Sequence, residues 1–176
     1  NDVAYVSASG SPSEYDVSGS GTLVYRKGGD GTASGRLTVQ WVGATGKKEP
    51  LLDKPGDYSY PRLSPEGKRL VFVMTDVGGQ AIWVYDIQRD AMTRLASGNG
   101  PYWTPIWSSD GRYVIFGTFG SIFWMRADGA SQPQALTQST PEQYPWSFTP
   151  DGKRLAYFEI AGRPAQIWTV PVEEQG

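Results

Sequence analysis

The chain contains neither cysteine nor histidine. That double absence excludes disulfide frameworks, thiolate chemistry, Cys/His zinc sites and every catalytic scheme that needs an imidazole base, Ser-His-Asp and Cys-His arrangements included. A dominant charge is missing as well: 16 Lys and Arg stand against 18 Asp and Glu, a formal net charge of −2. No basic field therefore draws nucleic acid or an anionic membrane surface. The longest apolar run, Leu70–Met74, falls far short of the roughly 18–20 residues of a membrane span, and no secretory leader is visible. Helical patterning is absent too, since every long window is broken by Gly or Pro, so helix content should be close to nil. The first residue is Asn1 rather than Met, which reads as a chain excised or processed from something longer.

What is present is turn-forming and aromatic. Glycine (22) and proline (13) make up about 20 % of 176 residues, above the usual ~12 % but below the ~25–30 % that signals disorder. Seven Trp, ten Tyr and six Phe supply ample core material for one domain of this length.

An internal repeat decides the fold class. Leu63-Ser-Pro-Glu-Gly-Lys-Arg-Leu-Val-Phe72, Trp107-Ser-Ser-Asp-Gly-Arg-Tyr-Val-Ile-Phe116 and Phe148-Thr-Pro-Asp-Gly-Lys-Arg-Leu-Ala-Tyr157 superpose without a gap, and Val17-Ser-Gly-Ser-Gly-Thr-Leu-Val-Tyr25 fits with one deletion. Their glycines fall at 21, 67, 111 and 152, spacings of 46, 44 and 41 residues. Those spacings match the ~40–50 of a four-stranded propeller blade and exceed helical repeats of ~33–34.

Each anchor reads as two strands joined by a tight turn, with Gly free to take positive φ and Asp bonding back to the backbone in Asp110-Gly111 and Asp151-Gly152. Ile82–Asp86, Ile122–Met125 and Ile167–Val170 read as third strands, and Thr93–Leu95 and Gln134–Leu136 as fourth strands. Runs such as Leu70–Met74 and Val114–Phe116 are apolar at every position, which requires cover on both faces. The expected architecture is an all-β propeller, or a propeller fragment, of about four four-stranded blades. Its units are residues 14–56, 57–99, 100–140 and 141–176. The last unit lacks a fourth strand, so strand 2–7 is expected to complete it, in the same chain or in a dimeric partner, because an open edge exposes unpaired backbone groups. Residues 9–13 and 28–35 read as loops.

The phrases YPRLSPEGKRLVF, IWVYDIQRDAMTRL, TPIWSSDGRYVIF and TPDGKRLAYF resemble the TolB-like propeller repeat, a bacterial relative of WD-repeat blades. YDVSGSGTLVYRKG, VQWVGATGKKEPL and PGDYSYPRLSPEGKRL are similar to propeller segments C-terminal to bacterial membrane-anchored serine/threonine kinases. The resemblance covers about residues 14–172. It implies a non-catalytic propeller outside the bacterial cytoplasm, periplasmic or extracellular, acting as a sensor or interaction platform. Members of the family usually form six or more blades.

No nucleophile elbow, Ser-x-x-Lys, Walker A loop or Gly-x-Gly-x-x-Gly occurs. Asp86, Asp90, Asp110, Asp128 and Asp151 could supply a glycosidase pair, but most of them sit in repeat turns. No cofactor or metal is called for. Recognition has a better candidate: aromatic and proline clusters precede each anchor, giving Tyr58, Tyr60, Arg62, Tyr102, Trp103, Tyr144 and Trp146 as candidate ligand-binding residues at one mouth of the central channel. Channel filling is the competing reading for Trp103 and Trp146, and Arg62 could equally cap a neighbouring carboxylate. Trp83, Trp107, Phe123, Phe148 and Trp168 are expected in blade cores. The expected function is a non-enzymatic module binding a protein, peptide or cell-envelope ligand, without nucleic acid or membrane insertion. An assembly piece of a larger or dimeric propeller is the alternative, and a glycan-active enzyme a distant third.

Overall fold

The computed structural model describes residues 15–17, 23–26, 37–43, 45–98, 100–162 and 164–172. The expected strand 2–7, the loops 9–13 and 28–35, and the turn of the first repeat lie outside the described residues. Fourteen strands and no helix occur among the described residues. In chain order they are β1 (Tyr15–Val17), β2 (Leu23–Arg26), β3 (Leu37–Val42), β4 (Lys48–Leu63), β5 (Arg69–Asp76), β6 (Gly79–Asp86), β7 (Ala91–Ser97), β8 (Trp103–Trp107), β9 (Tyr113–Thr118), β10 (Ser121–Arg126), β11 (Gln134–Ala135), β12 (Glu142–Phe148), β13 (Arg154–Ile160) and β14 (Gln166–Pro171). All described pairings are antiparallel, and each strand pairs with the next in sequence within its sheet.

The long β4 serves two sheets. Its first part pairs with β3 (Val42↔Lys48, Val39↔Leu52), and from Asp57 onward it pairs with β5 (Asp57↔Thr75, Leu63↔Leu70). The outer strand of the first sheet thus runs directly into the inner strand of the second, and four antiparallel sheets result. The second part of β4, then β8 and β12, are the inner strands; β8 touches β4 and β5 on one side and β12 on the other.

Stacking covers both faces of the middle sheets. On β5, Leu70 and Phe72 face the first sheet and join Val39, Leu52 and Tyr85, while Val71 and Val73 face the third and join Trp107, Val114 and Phe116. All four β5 residues are completely buried. A third cluster, Ile115, Ile122, Trp124 and Leu155, fills the next boundary. At roughly 1.5–3 kcal/mol per buried large apolar side chain, these clusters are what fix sheet against sheet.

The repeat turns are near copies. The hydroxyls of Ser64, Ser108 and Thr149 accept from the backbone N–H of Arg69, Tyr113 and Arg154 at 3.0, 2.9 and 3.1 Å. Gly67, Gly111 and Gly152 adopt φ of 69°, 70° and 71°, where a side chain would be strained. A different demand acts on Gly117 of β9, where a Cβ would stand 2.5 Å from the Gln143 carbonyl oxygen on β12.

Of the five expected core aromatics, Trp107 is buried, and Trp83, Phe123 and Phe148 are partly buried against a core. Trp168 departs from that expectation with 47 % exposure. It lies on β14, the edge strand of a three-stranded sheet, where no further described strand or sheet covers it.

Candidate functional site

The aromatic clusters lie where each inner strand is irregular. The pairing register slips between Ser59 and Arg62 on β4, between Trp103 and Ile106 on β8 and between Pro145 and Ser147 on β12. Each slip is a β-bulge, which inserts a residue and re-aims its neighbours. Tyr60 and Thr104 occupy equivalent places in two of these bulges, with φ of 55° and 43°. Positive φ in a non-glycine residue, β-branched Thr above all, costs of order 1–3 kcal/mol and persists only where the surroundings impose it. At the third bulge the equivalent residue is Pro145, whose ring forbids positive φ, and Trp146 becomes the extra residue instead.

These bulges separate the seven candidates. Trp103 lies 5.2 Å, ring to ring, from Tyr144 and 6.3 Å from Phe119. The Tyr144 hydroxyl donates to Glu142 at 2.6 Å. Burial first, then that hydrogen bond and the charges of Glu142 and Tyr60, push the Tyr144 phenol well above its ordinary value. Trp146 packs edge-on against Phe158 at 5.0 Å and remains 49 % exposed. By their positions at or beside the three equivalent bulges, Tyr60, Trp103, Tyr144 and Trp146 occupy the same end of their inner strands.

Tyr58 and Tyr102 do not share that exposure. The Tyr58 ring is 4 % exposed, meets Phe72 edge-on at 5.3 Å, and its hydroxyl donates to the Lys54 carbonyl at 2.8 Å. Tyr102 is 8 % exposed and edge-on to Phe116 at 5.7 Å, but it also lines a cavity of about 510 Å³ with Leu95, Phe116, Phe119 and Phe123. Burial raises the Tyr102 phenol, against the opposing charge of Arg94. The guanidinium of Arg62 donates to the Pro61 carbonyl at 2.9 Å, and its own carbonyl accepts from the Trp107 indole at 3.0 Å. Arg62 thus ties two inner strands together.

The sequence reading missed Phe119. It sits at the β9–β10 hairpin, 67 % exposed, and links Trp103 to the cavity. Its signal was there: an aromatic residue directly before a hairpin Gly, in Thr118-Phe-Gly-Ser121, has no turn-forming reason to be aromatic.

The five carboxylates weighed for a glycosidase pair are engaged locally. Asp86, Asp110, Asp128 and Asp151 accept turn N–H groups, and Asp90 accepts the Tyr85 hydroxyl. The Arg126 guanidinium and the Ala130 N–H hold Asp128 down to about 2. No group of three or more metal-ligating side chains occurs among the described residues.

Residues 30–162 match the TolB beta propeller domain. This chain belongs to the TolB β-propeller family. In keeping with that family, its fold aligns with a TolB-like protein of Agrobacterium tumefaciens at a TM-score of 0.76 and 19 % identity, covering 92 % of this chain and 61 % of that one. TolB of Acinetobacter baumannii aligns at 0.72 and 17 % identity, covering 90 % and 40 %. The chain thus spans about three-fifths and two-fifths of these two relatives. A gluconolactonase of Xanthomonas campestris shares the fold at 0.65 and 16 % identity, covering 90 % and 56 %. Among the described residues no helix is long and apolar enough to cross a membrane.

Proposed function

We propose that this TolB-type propeller is a non-enzymatic binding module, acting outside the bacterial cytoplasm, that takes a protein or peptide segment across the rim formed by Tyr60, Trp103, Phe119, Tyr144 and Trp146. The observation that carries this reading is Trp103, whose ring lies between Tyr144 and Phe119, the latter a lining residue of the 510 Å³ cavity. A row of partly exposed aromatic rings beside an apolar recess is the arrangement that favours hot-spot contacts, because Trp and Tyr bring large area with few rotatable bonds. Tyr58 is left out of this site because its ring is core. The test is selection of random displayed peptides on the chain. The selected peptides should lose at least about tenfold in affinity for a Trp103→Ala/Phe119→Ala variant, about 1.4 kcal/mol, while its melting temperature stays within a few degrees. Undiminished binding to that variant refutes the rim.

The apolar surface of the last sheet supports a second reading, assembly. Ile160, Ile167 and Trp168 are 47 %, 69 % and 47 % exposed, a large apolar outlay for a free surface. A concentration-dependent rise in solution mass that Ile167→Lys abolishes would favour assembly; a monomer at all concentrations would remove self-assembly.

A further inference from the structure

The repeat allows two sheet boundaries to be compared position by position. Between the second and third sheets, Arg69 crosses over. Its guanidinium contacts Glu66 at 2.7 Å, donates to the Gly111 carbonyl at 2.8 Å and lies 4.6 Å above the Trp107 ring. In the gapless alignment of the anchors, the corresponding residues at the next boundary are Tyr113 for Arg69, Asp110 for Glu66, Phe148 for Trp107 and Gly152 for Gly111. The carboxylate, the aromatic face and the turn glycine are kept. The cation is not.

Tyr113 cannot stand in for it. Its ring folds against Trp124 of its own sheet, 4.7 Å between centroids, and a cleft of about 610 Å³ opens between the third and fourth sheets. Asp110, Tyr113, Phe148 and Gly152 all line that cleft, together with Trp124 and Asp151. The four repeat equivalents of the Arg69 clamp are thus assembled around open space.

We propose that this cleft is a guanidinium site, receiving an arginine side chain from a partner peptide, or free arginine, in the place that Arg69 fills at the neighbouring boundary. The planar cation would stack on Phe148 and bond to the carboxylates, as guanidinium prefers. Asp110 accepts from the Ser108 hydroxyl and the Arg112 N–H at Oδ1 and from the Arg112 guanidinium at Oδ2; with Arg112 59 % and Asp110 37 % exposed that ion pair is worth little, and an arriving guanidinium would share or displace it. Both turn bonds of Asp151 go to Oδ1. Lys153 also lines the cleft. The cleft follows the anchor turns whereas the aromatic rim precedes them, so the two sites lie at opposite ends of the inner strands and can fail independently.

The test is a titration of the isotope-labelled chain with L-arginine, with blocked Gly-Arg-Gly and with blocked Gly-Lys-Gly. The Trp124 indole N–H signal, assigned through Trp124→Phe, is the readout. Saturable shifts with a dissociation constant in the ~1–10 mM range are expected for the arginine probes, with lysine at least about fivefold weaker. Tighter binding of the blocked peptide identifies a partner side chain as the source, and tighter binding of L-arginine the free amino acid. Tyr113→Arg should fill the cleft from within, abolish the shift and raise the melting temperature. Asp151→Asn, which keeps its turn bonds, should weaken binding at least about threefold with unchanged melting. No saturable shift with either arginine probe, equal response to lysine, or undiminished binding by both Tyr113→Arg and Asp151→Asn would overturn the proposal; loss of peptide capture at the rim would not touch it.

Discussion

Replacing Arg69 with Met isolates what one guanidinium contributes to holding two sheets together. Met keeps most of the apolar stem and removes only the head group. Three interactions disappear with it. The charge-assisted bond to the Gly111 carbonyl, 2.8 Å, accounts for about 1.5–2 kcal/mol, and the stacking over Trp107 at 4.6 Å for about 0.5–1 kcal/mol. The pair with Glu66 adds under about 0.5 kcal/mol, because the two side chains are 27 % and 36 % exposed and solvent screens them. The expected loss is therefore about 2–3 kcal/mol, a fall of roughly 5–10 °C in melting temperature for a chain of this size. Arg69→Lys should lose about half as much, since an ammonium keeps the charge but not the planar stack. Glu66→Gln should lose least. Thermal unfolding followed by Trp fluorescence gives all three values. A Met variant within about 0.5 kcal/mol of the parent, or a Gln variant as damaging as the Met one, would refute the idea that the cross-sheet carbonyl bond and the stacking dominate.

Further outcomes follow from other particulars. Thr104 is 4 % exposed and its hydroxyl has no hydrogen-bond partner, so Thr104→Val should be neutral or stabilise by up to about 1 kcal/mol in urea unfolding; a loss above 1 kcal/mol would mean the hydroxyl is satisfied. Gly117→Ala must push β9 away from the Gln143 carbonyl, 2.5 Å from the added carbon, and should lose about 2–3 kcal/mol; a neutral result would show that this boundary gives way. With no histidine in the sequence, the melting temperature should be flat between about pH 5.5 and 8. The folded-state values of Glu66, Asp110, Asp128 and Asp151 are lowered, so their contribution is complete above roughly pH 4.5 and disappears as pH falls through those values. Stability that rises on acidification below pH 4 would contradict this sign. For Glu66 and Asp110 burial itself opposes ionisation, and the hydrogen bonds they accept outweigh it.

The blade architecture was readable because its determinants are local and recur. A hydroxyl, an acidic residue and a glycine at fixed spacing close the same turn at Ser64, Ser108 and Thr149, and continuously apolar strands such as Leu70–Val73 require neighbours on both faces. The site was only half readable. Alternation along a strand predicts which face a residue takes, but each inner strand carries a bulge within its aromatic cluster, and a bulge breaks the period of two. Tyrosines two residues apart, which alternation would put on one face, therefore part company, with Tyr58 in the core and Tyr60 at positive φ beside the rim. Phe119 escaped notice because its importance comes from the fold, which brings a hairpin tip to Trp103. Trp168 was misplaced because its repeat counterparts Trp83 and Phe123 are covered by adjacent sheets, and β14 has none described beyond it.

A stack of near-identical sheets makes departures from the repeat informative. Where the copies agree, at the turn glycines and hydroxyls, the residues answer to a backbone requirement that every sheet shares, and nothing functional follows from them. Where one copy departs while its surroundings stay the same, the shared requirement has been met in another way or left unmet. Pro145 meets it: the bulge moves by one residue to Trp146 and the inner strand survives. Tyr113 does not, because the carboxylate, aromatic face and glycine persist around a cleft that its own ring, folded against Trp124, leaves open. A neutral boundary could have been closed with a larger apolar residue at the same position, as the fully buried Ile115 and Leu155 close the adjoining core. Both carboxylates at this gap are already held ionised by the hydrogen bonds they accept, so it is the aromatic-lined space itself, open where Arg69 fills its counterpart, that is the physical reason to look for a guanidinium there.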